Sequence, residues 1–223
     1  MARFKRLNVI NKVGEQGMIP VYYSPDIDRM KKILTACYNG GLRSFEYTNR
    51  GDFAHEVFAE LNKWAEKELP DMILGAGSVM DAGTASIYMQ LGAAFIVSPV
   101  LKRDMAKVCN RRKVAWMPGC GSATEISYAE ELGAEIVKIF PGSAVGGSSF
   151  VSAVLGPSPW SSIMPTGDVA PTEENLSAWF KSGVYCVGMG SKLITKEIIN
   201  NEDYDQLSNK CRETLKLIEK LRS

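Results

Sequence analysis

Residues 133–143, GAEIVKIFPGS, hold one lysine inside an apolar run. Ile136, Val137, Ile139 and Phe140 surround Lys138, and Pro141 with Gly142 closes the run. Apolar residues at consecutive positions lack the alternation of a half-solvated strand. They read as a strand of a parallel sheet, covered on both faces. An unpaired ammonium there costs several kcal/mol, or gives up its proton. Lys138 therefore either sits at the water-facing end of its strand or has chemistry that needs a dry site.

Seven further runs share this character. MIPVYY, RSFEYT, MILGAGSV, FIVSP, VAWMPG, SIMPTG and YCVGMGS start near residues 18, 43, 72, 95, 114, 162 and 185. Amphipathic segments with recognisable starts lie between them. Ser24 before Pro25 reads as a helix cap followed by proline at the first helical position. Ser122 with Glu125 fits a capping box. Thr172 caps EENLSAWF, whose Glu173 and Glu174 suit a first turn. Alternating β and α units imply a parallel sheet. Eight of them predict an α/β fold, a single (β/α)8 TIM barrel spanning 1–223 as one domain. The first seventeen residues read as an extra N-terminal helix, and NNEDYDQLSNKCRETLKLIEKLRS as a final one.

Composition narrows the function. With 45% hydrophobic and 23% charged residues, the 223-residue chain has ordinary globular proportions. Its net charge of +1 comes without a basic block or interleaved aromatics, which argues against nucleic acid as a partner. The opening MARFKRLNVINKVGEQG is too polar for a signal segment, and no run is long enough to span a membrane. Cys37, Cys109, Cys120, Cys186 and Cys211 form no CxxC pair, which reads as reduced thiols in a cytoplasmic protein. The single histidine, His55, leaves no His-rich metal cage and no His-based triad, and reads as solvated on a surface helix.

Barrel active sites lie at the carboxyl ends of the strands. Those ends carry Glu46, Thr48 and Arg50 after strand two, Ser78 after strand three, and Ser98 and Pro99 after strand four. They also carry Lys138 in strand six, Thr166, Gly167 and Asp168 after strand seven, and Gly188 to Ser191 after strand eight. Strands two and six face each other across an eight-membered ring. If both side chains point inward, Glu46 and Lys138 meet above the packed interior. A neutral lysine there can attack a ketone and form an iminium, while a carboxylate shuttles protons. The apolar setting lowers the lysine pKa and a nearby carboxylate raises it. Spacing alone leaves amine catalysis and a structural ion pair equally open. PTGD and VGMGS end strands seven and eight, where backbone N–H groups of barrels often bind phosphate, although glycines also end strands for structural reasons.

FEYTNR, GAGSV, FIVSP, VKIFPG, PTGD and VGMGSKL occur in an order and spacing that resemble the 2-keto-3-deoxy-6-phosphogluconate aldolase family, which includes 4-hydroxy-2-oxoglutarate aldolases. The similarity runs from about residue 15 to residue 200. It implies a cytoplasmic (β/α)8 class I aldolase of carbohydrate metabolism, a homotrimer with no metal and no cofactor. Lys138 matches the family's Schiff-base lysine and Glu46 its proton-shuttling glutamate. Arg50 matches the arginine that holds the pyruvyl carboxylate. Ser78 stands where threonine is common and keeps the hydroxyl. Pro99 and Phe140 match residues lining the pyruvyl pocket. Thr166, Gly167 and Ser191 match the region receiving the distal end of the substrate. Asp168 departs from the family's PTGG and puts a carboxylate where phosphate is expected.

The resulting expectation is a lyase that cleaves a 2-keto-3-deoxy sugar acid, foremost the 6-phosphogluconate derivative, to pyruvate and glyceraldehyde 3-phosphate. The alternatives are an aldolase for unphosphorylated 2-keto acids such as 4-hydroxy-2-oxoglutarate, a metal-dependent aldolase or isomerase using Glu46 and Asp168, and a non-catalytic barrel that binds sugar acids. Lys192, beside Ser191, reads as a surface residue with some electrostatic help for an anion.

Overall fold

The computed structural model describes residues 3–223. Its first half comprises α1 (Arg6–Gln16), β1 (Met18–Tyr22), α2 (Ile27–Asn39), β2 (Ser44–Thr48), α3 (Ala54–Glu68), β3 (Ile73–Gly77), α4 (Ala82–Gln90), β4 (Phe95–Val97) and α5 (Arg103–Arg112). The chain continues through β5 (Ala115–Met117), β6 (Gly119–Cys120), α6 (Ala123–Glu131), β7 (Val137–Ile139), α7 (Gly147–Leu155) and β8 (Ile163–Pro165). It ends with α8 (Glu173–Lys181), β9 (Val187–Met189), α9 (Lys196–Asn200) and α10 (Tyr204–Arg222).

The recorded strand pairings are all parallel. Six strands form one curled sheet in the order β5-β4-β3-β2-β1-β9, and β6-β7-β8 form a second. The eight expected strands thus appear as nine in two sheets. The run VAWMPG is divided at Pro118, which has no N–H to give a ladder. Hydrogen bonds still flank the break: Ser98 N–H donates to the Met117 carbonyl at 3.1 Å, and Lys138 N–H to that of Pro118 at 2.9 Å. Beyond β8, an isolated parallel bridge pairs Thr166 with Gly188 of β9.

Strand periodicity sorts the side chains. Phe45 and Tyr47 of β2 join the cluster beneath the helices, where the Tyr47 and Phe58 rings lie 6.0 Å apart. Ser44, Glu46 and Thr48 alternate with them on the opposite face. A second cluster gathers Ile19, Ile73, Phe95, Ile136 and Cys186 from the amino-terminal ends of the strands. Val9 and Val13 of α1 are fully buried in it. The extra helix is therefore a plug under the sheet, and each of these valines contributes about 1.5–3 kcal/mol by burial. Arg222 Nη1 fixes the plug by donating to the Gly14 carbonyl at 2.6 Å, and the Tyr185 hydroxyl donates to that of Ile10 at 3.3 Å.

Two helix starts follow the sequence and one does not. Ser122 and Thr172 cap α6 and α8 by accepting from Glu125 and Asn175 N–H. Helix α2 is capped by Asp26, whose carboxylate accepts from Asp28 and Arg29 N–H, and not by Ser24. Ser24 Oγ instead accepts from Asp26 N–H at 3.1 Å, a local turn that competes with helix entry. His55 is exposed on α3, and the five cysteines are free and buried. The final helix begins at Tyr204, later than expected, because the chain first forms the separate α9. Among the described residues no helix is long and apolar enough to cross a membrane.

Candidate active site

Glu46 and Lys138 come together. Lys138 Nζ lies 4.0 Å from Glu46 Oε1, and both residues are buried, at 5% and 1% exposure. Strand register sets this up: Lys138 of β7 pairs with Gly119 of β6 and Met164 of β8, while Glu46 of β2 pairs with Val21 and Gly75. Space for the carboxylate comes from Gly77, because a Cβ there would run into the Glu46 carboxylate. Lys138 Nζ also lies 5.1 Å from the centre of the Phe140 ring.

At 4.0 Å the pair is beyond hydrogen-bonding distance. Burial pushes the Glu46 carboxyl up, against the opposing pull of Lys138 and Arg50. Burial likewise pushes the Lys138 ammonium down, against the raising effect of Glu46 and with further lowering by Arg50. Both shifts run toward the neutral forms, so desolvation outweighs the attraction between the two charges. A neutral amine is the nucleophilic form.

A cavity of about 620 Å³ opens at the carboxyl ends of the strands; its wall reaches Thr48 and Phe140, two residues beyond Glu46 and Lys138, while the buried pair itself lies behind the wall. Arg50, Phe140, Thr166, Gly167, Asp168 and Ser191 line it, as does Thr48. Ser78 lies just beside it: Arg50 Nε donates to Ser78 Oγ at 3.3 Å, which joins the two groups assigned to a carboxylate. Pro99 is not on the cavity wall. Its backbone presses on Gly119, where a Cβ would collide with it, next to the Lys138 strand. Three buried oxygens here, Glu46 Oε2, Thr48 Oγ1 and Thr166 Oγ1, have no hydrogen-bond partner among the described residues. Unsatisfied buried groups cost about 1–3 kcal/mol each, and their concentration at one site marks a place for a polar guest.

Asp168 adopts a left-handed conformation, φ 56°, which glycine would take freely and aspartate tolerates. Its carboxylate accepts a 2.5 Å hydrogen bond from the Ser143 hydroxyl. Three cations, Arg50, Lys192 and Lys196, share the cavity with it. Lys192 is exposed, yet it belongs to the rim. Sequence reasoning missed Tyr22, Tyr23, Lys196 and Asn200, which also line the cavity. Tyr22 ends β1 and Tyr23 follows it, both in plain view in MIPVYY. Lys196 and Asn200 belong to α9, which Thr195 caps by accepting from Ile198 N–H. Among the described residues no group of three or more His, Cys, Asp or Glu is arranged to hold a metal.

Known proteins resemble this chain in sequence and fold. The family model of KDPG and KHG aldolase matches residues 9–210. The 2-dehydro-3-deoxy-phosphogluconate aldolase of Pseudoalteromonas atlantica is 31% identical, over 91% of this chain and 92% of its own length. The protein of the same name from Pseudomonas aeruginosa is 33% identical, over 90% and 89%. Among solved structures, a KDPG aldolase from Legionella pneumophila, with pyruvate captured at low pH as a covalent carbinolamine intermediate, superposes with a TM-score of 0.83. That structure is 25% identical and aligns over 92% of this chain and 97% of its own. With a match running from the α1 plug into α10, the chain belongs to the KDPG and KHG aldolase family.

Proposed function

We propose that this chain is a class I aldehyde-lyase that cleaves a 2-keto-3-deoxy sugar acid, foremost the 6-phosphogluconate derivative, through a Schiff base on Lys138. The observation that carries the reading is the buried, 4.0 Å Lys138–Glu46 pair, biased toward its neutral forms behind the wall of an open cavity. In this scheme the Lys138 amine attacks the C2 ketone, and loss of water gives an iminium. Arg50 and Ser78 hold the C1 carboxylate, which a guanidinium can grip through two hydrogen bonds. Glu46, made more basic by burial, takes the proton from the C4 hydroxyl. The C3–C4 bond breaks, its electron pair passes to the iminium as an enamine, and the aldehyde departs. Protonation at C3 by Glu46 and hydrolysis then release pyruvate. Phe140 flanks the pyruvyl unit, Pro99 backs that region from behind Gly119, and Thr166, Gly167 and Ser191 receive the distal end.

The proposal includes a single-domain (β/α)8 barrel over 1–223. Its support is the hydrogen bonding on both sides of Pro118 and the Thr166–Gly188 bridge, which link the two sheets. It also includes a cytoplasmic homotrimer. Five free cysteines accord with a reducing compartment, and the trimer follows the family resemblance.

Reductive trapping tests the chemistry. Pyruvate with borohydride should add one pyruvyl unit, and peptide mapping should place it on Lys138. The trapping rate should rise with pH, with a midpoint below the ordinary lysine value of 10.5, because burial favours the free amine. A label on another lysine, or none on active enzyme, would sink the Schiff-base assignment.

Two further variants test the surroundings. Gly77→Ala should displace the Glu46 carboxylate and lower kcat by about 10²-fold, the scale expected for a misplacement of roughly 1 Å. Steady-state kinetics alongside circular dichroism would show it, and an unchanged kcat would separate Glu46 position from turnover. Asp168→Gly suits the local φ and removes a carboxylate from the distal end. At an effective dielectric of about 20, a carboxylate about 5 Å from phosphate costs roughly 3 kcal/mol per unit charge. Screening at the mouth reduces this to about 1 kcal/mol. The substitution should raise kcat/KM for the phosphorylated substrate by about 5- to 10-fold and change the unphosphorylated one little. An unchanged ratio of the two values would show that Asp168 does not act on phosphate.

A further inference from the structure

We propose that the pole of the fold opposite the active-site cavity binds a multiply charged, phosphate-bearing organic anion of nucleotide size. A groove of about 820 Å³ lies between the start of α1 and the end of α5. Lys5, at the N-terminal edge of α1, and Arg111, Arg112 and Lys113, from the last turn and C-cap of α5, line it. These segments are far apart in sequence, so their convergence is a product of the fold.

The charges in the groove are unevenly matched. Glu135 is its one acidic wall residue, and Arg6 already neutralises it. Arg6 donates to Glu135 from Nε at 3.0 Å and from Nη2 at 2.7 Å, and its Nη1 reaches Asn110 Oδ1 at 2.7 Å. Arg112 reaches the Met89 carbonyl at 3.5 Å. Lys5, Arg111 and Lys113 have no side-chain hydrogen bond or ion pair among the described residues. Some cations elsewhere on the surface do have acid partners, as in Lys31–Glu60, Lys32–Glu202, Lys107–Asp104 and Lys220–Glu173.

Local structure accounts for part of this cluster. Arg111 and Arg112 in the last turn complement the α5 dipole. Lys5 does the reverse, placing a cation at the positive end of α1. That helix has no acidic residue in its first turn and no side-chain cap. A bound anion reconciles Lys5 with its position. The walls also select the body of the ligand. Leu7 is 69% exposed in the groove, and the partly buried Phe4 packs on the inner core beside it. An apolar wall facing clustered cations suits an organic group carrying several phosphates, and guanidinium groups pair well with phosphate oxygens. The volume falls in the range of small-molecule sites.

Thermal unfolding of the full chain, titrated with ATP as the probe, tests this. The result expected is a saturable rise in Tm, as for any ligand that binds only the folded state. The double variant Arg111→Gln/Lys113→Gln should raise the ATP dissociation constant by about tenfold or more and leave retro-aldol turnover unchanged. Sodium sulfate at matched ionic strength producing the same shift, or an unaltered shift in the double variant, would reduce the effect to non-specific ions and overturn the proposal. Tripolyphosphate binding as tightly as ATP would overturn the organic class. Affinity that grows with the length of an RNA fragment would overturn the small-molecule class.

Discussion

Lys138→Met should lower turnover by at least about 10⁴-fold while the chain stays folded. Loss of a covalent nucleophile can cost about 10⁶ in kcat, and the lysines that line the cavity, Lys192 and Lys196, are exposed at its rim. They are not placed on the buried pair with Glu46. The fold should tolerate the change. Methionine nearly matches lysine in volume, and Lys138 is 5% exposed within an apolar strand. Its loss leaves Glu46 without the cation that opposed its upward shift, so the carboxyl becomes neutral more readily. The variant thus removes a buried cation without stranding a buried anion. Kinetics, borohydride trapping and thermal unfolding of one preparation would decide the matter. Turnover within tenfold of the parent, with the fold intact, would end the amine mechanism.

Glu46→Gln should separate two steps that Lys138→Met removes together. A general acid–base group contributes about 10²–10⁴-fold, so turnover should fall by that range. Trapping by pyruvate should survive. The Glu46 charge raises the Lys138 pKa, and the amide carries no charge. Lys138 should then titrate lower, and more of it should be the free amine at neutral pH. The expected pattern is slow cleavage with trapping retained or faster at a given pH. If trapping and turnover fell together, Glu46 would serve to position Lys138 and the proton shuttle would lie elsewhere.

Much of this architecture was legible in consecutive apolar residues. Runs such as RSFEYT and VKIF begin within a residue or two of β2 and β7, because strands covered on both faces leave an unbroken apolar signature. Period-two alternation also placed Glu46 and Thr48 on one face. Pro118 was visible, but not that it would divide its strand, since that depends on which neighbour needs an N–H. Helix α9 was missed because its five residues are too few to show a period, leaving only Thr195 as a signal. Whether Lys138 and Glu46 stay charged could not be read at all. It depends on the depth of burial against a separation of 4.0 Å, and both are tertiary quantities. The Ser143–Asp168 hydrogen bond, between loops 25 residues apart, is likewise a product of folding.

The α1 plug has a kinetic consequence. With Val9 and Val13 filling the amino-terminal end among the described residues, the cavity is approached from the carboxyl ends of the strands. On the proposed chemistry, the three-carbon keto fragment stays tethered to the floor while the aldehyde fragment stands between it and that approach. Traffic is therefore last in, first out. The aldehyde must leave before pyruvate can, and in the synthetic direction pyruvate must be seated before the aldehyde enters. A helix that touches neither fragment would in this way impose the sequence of events.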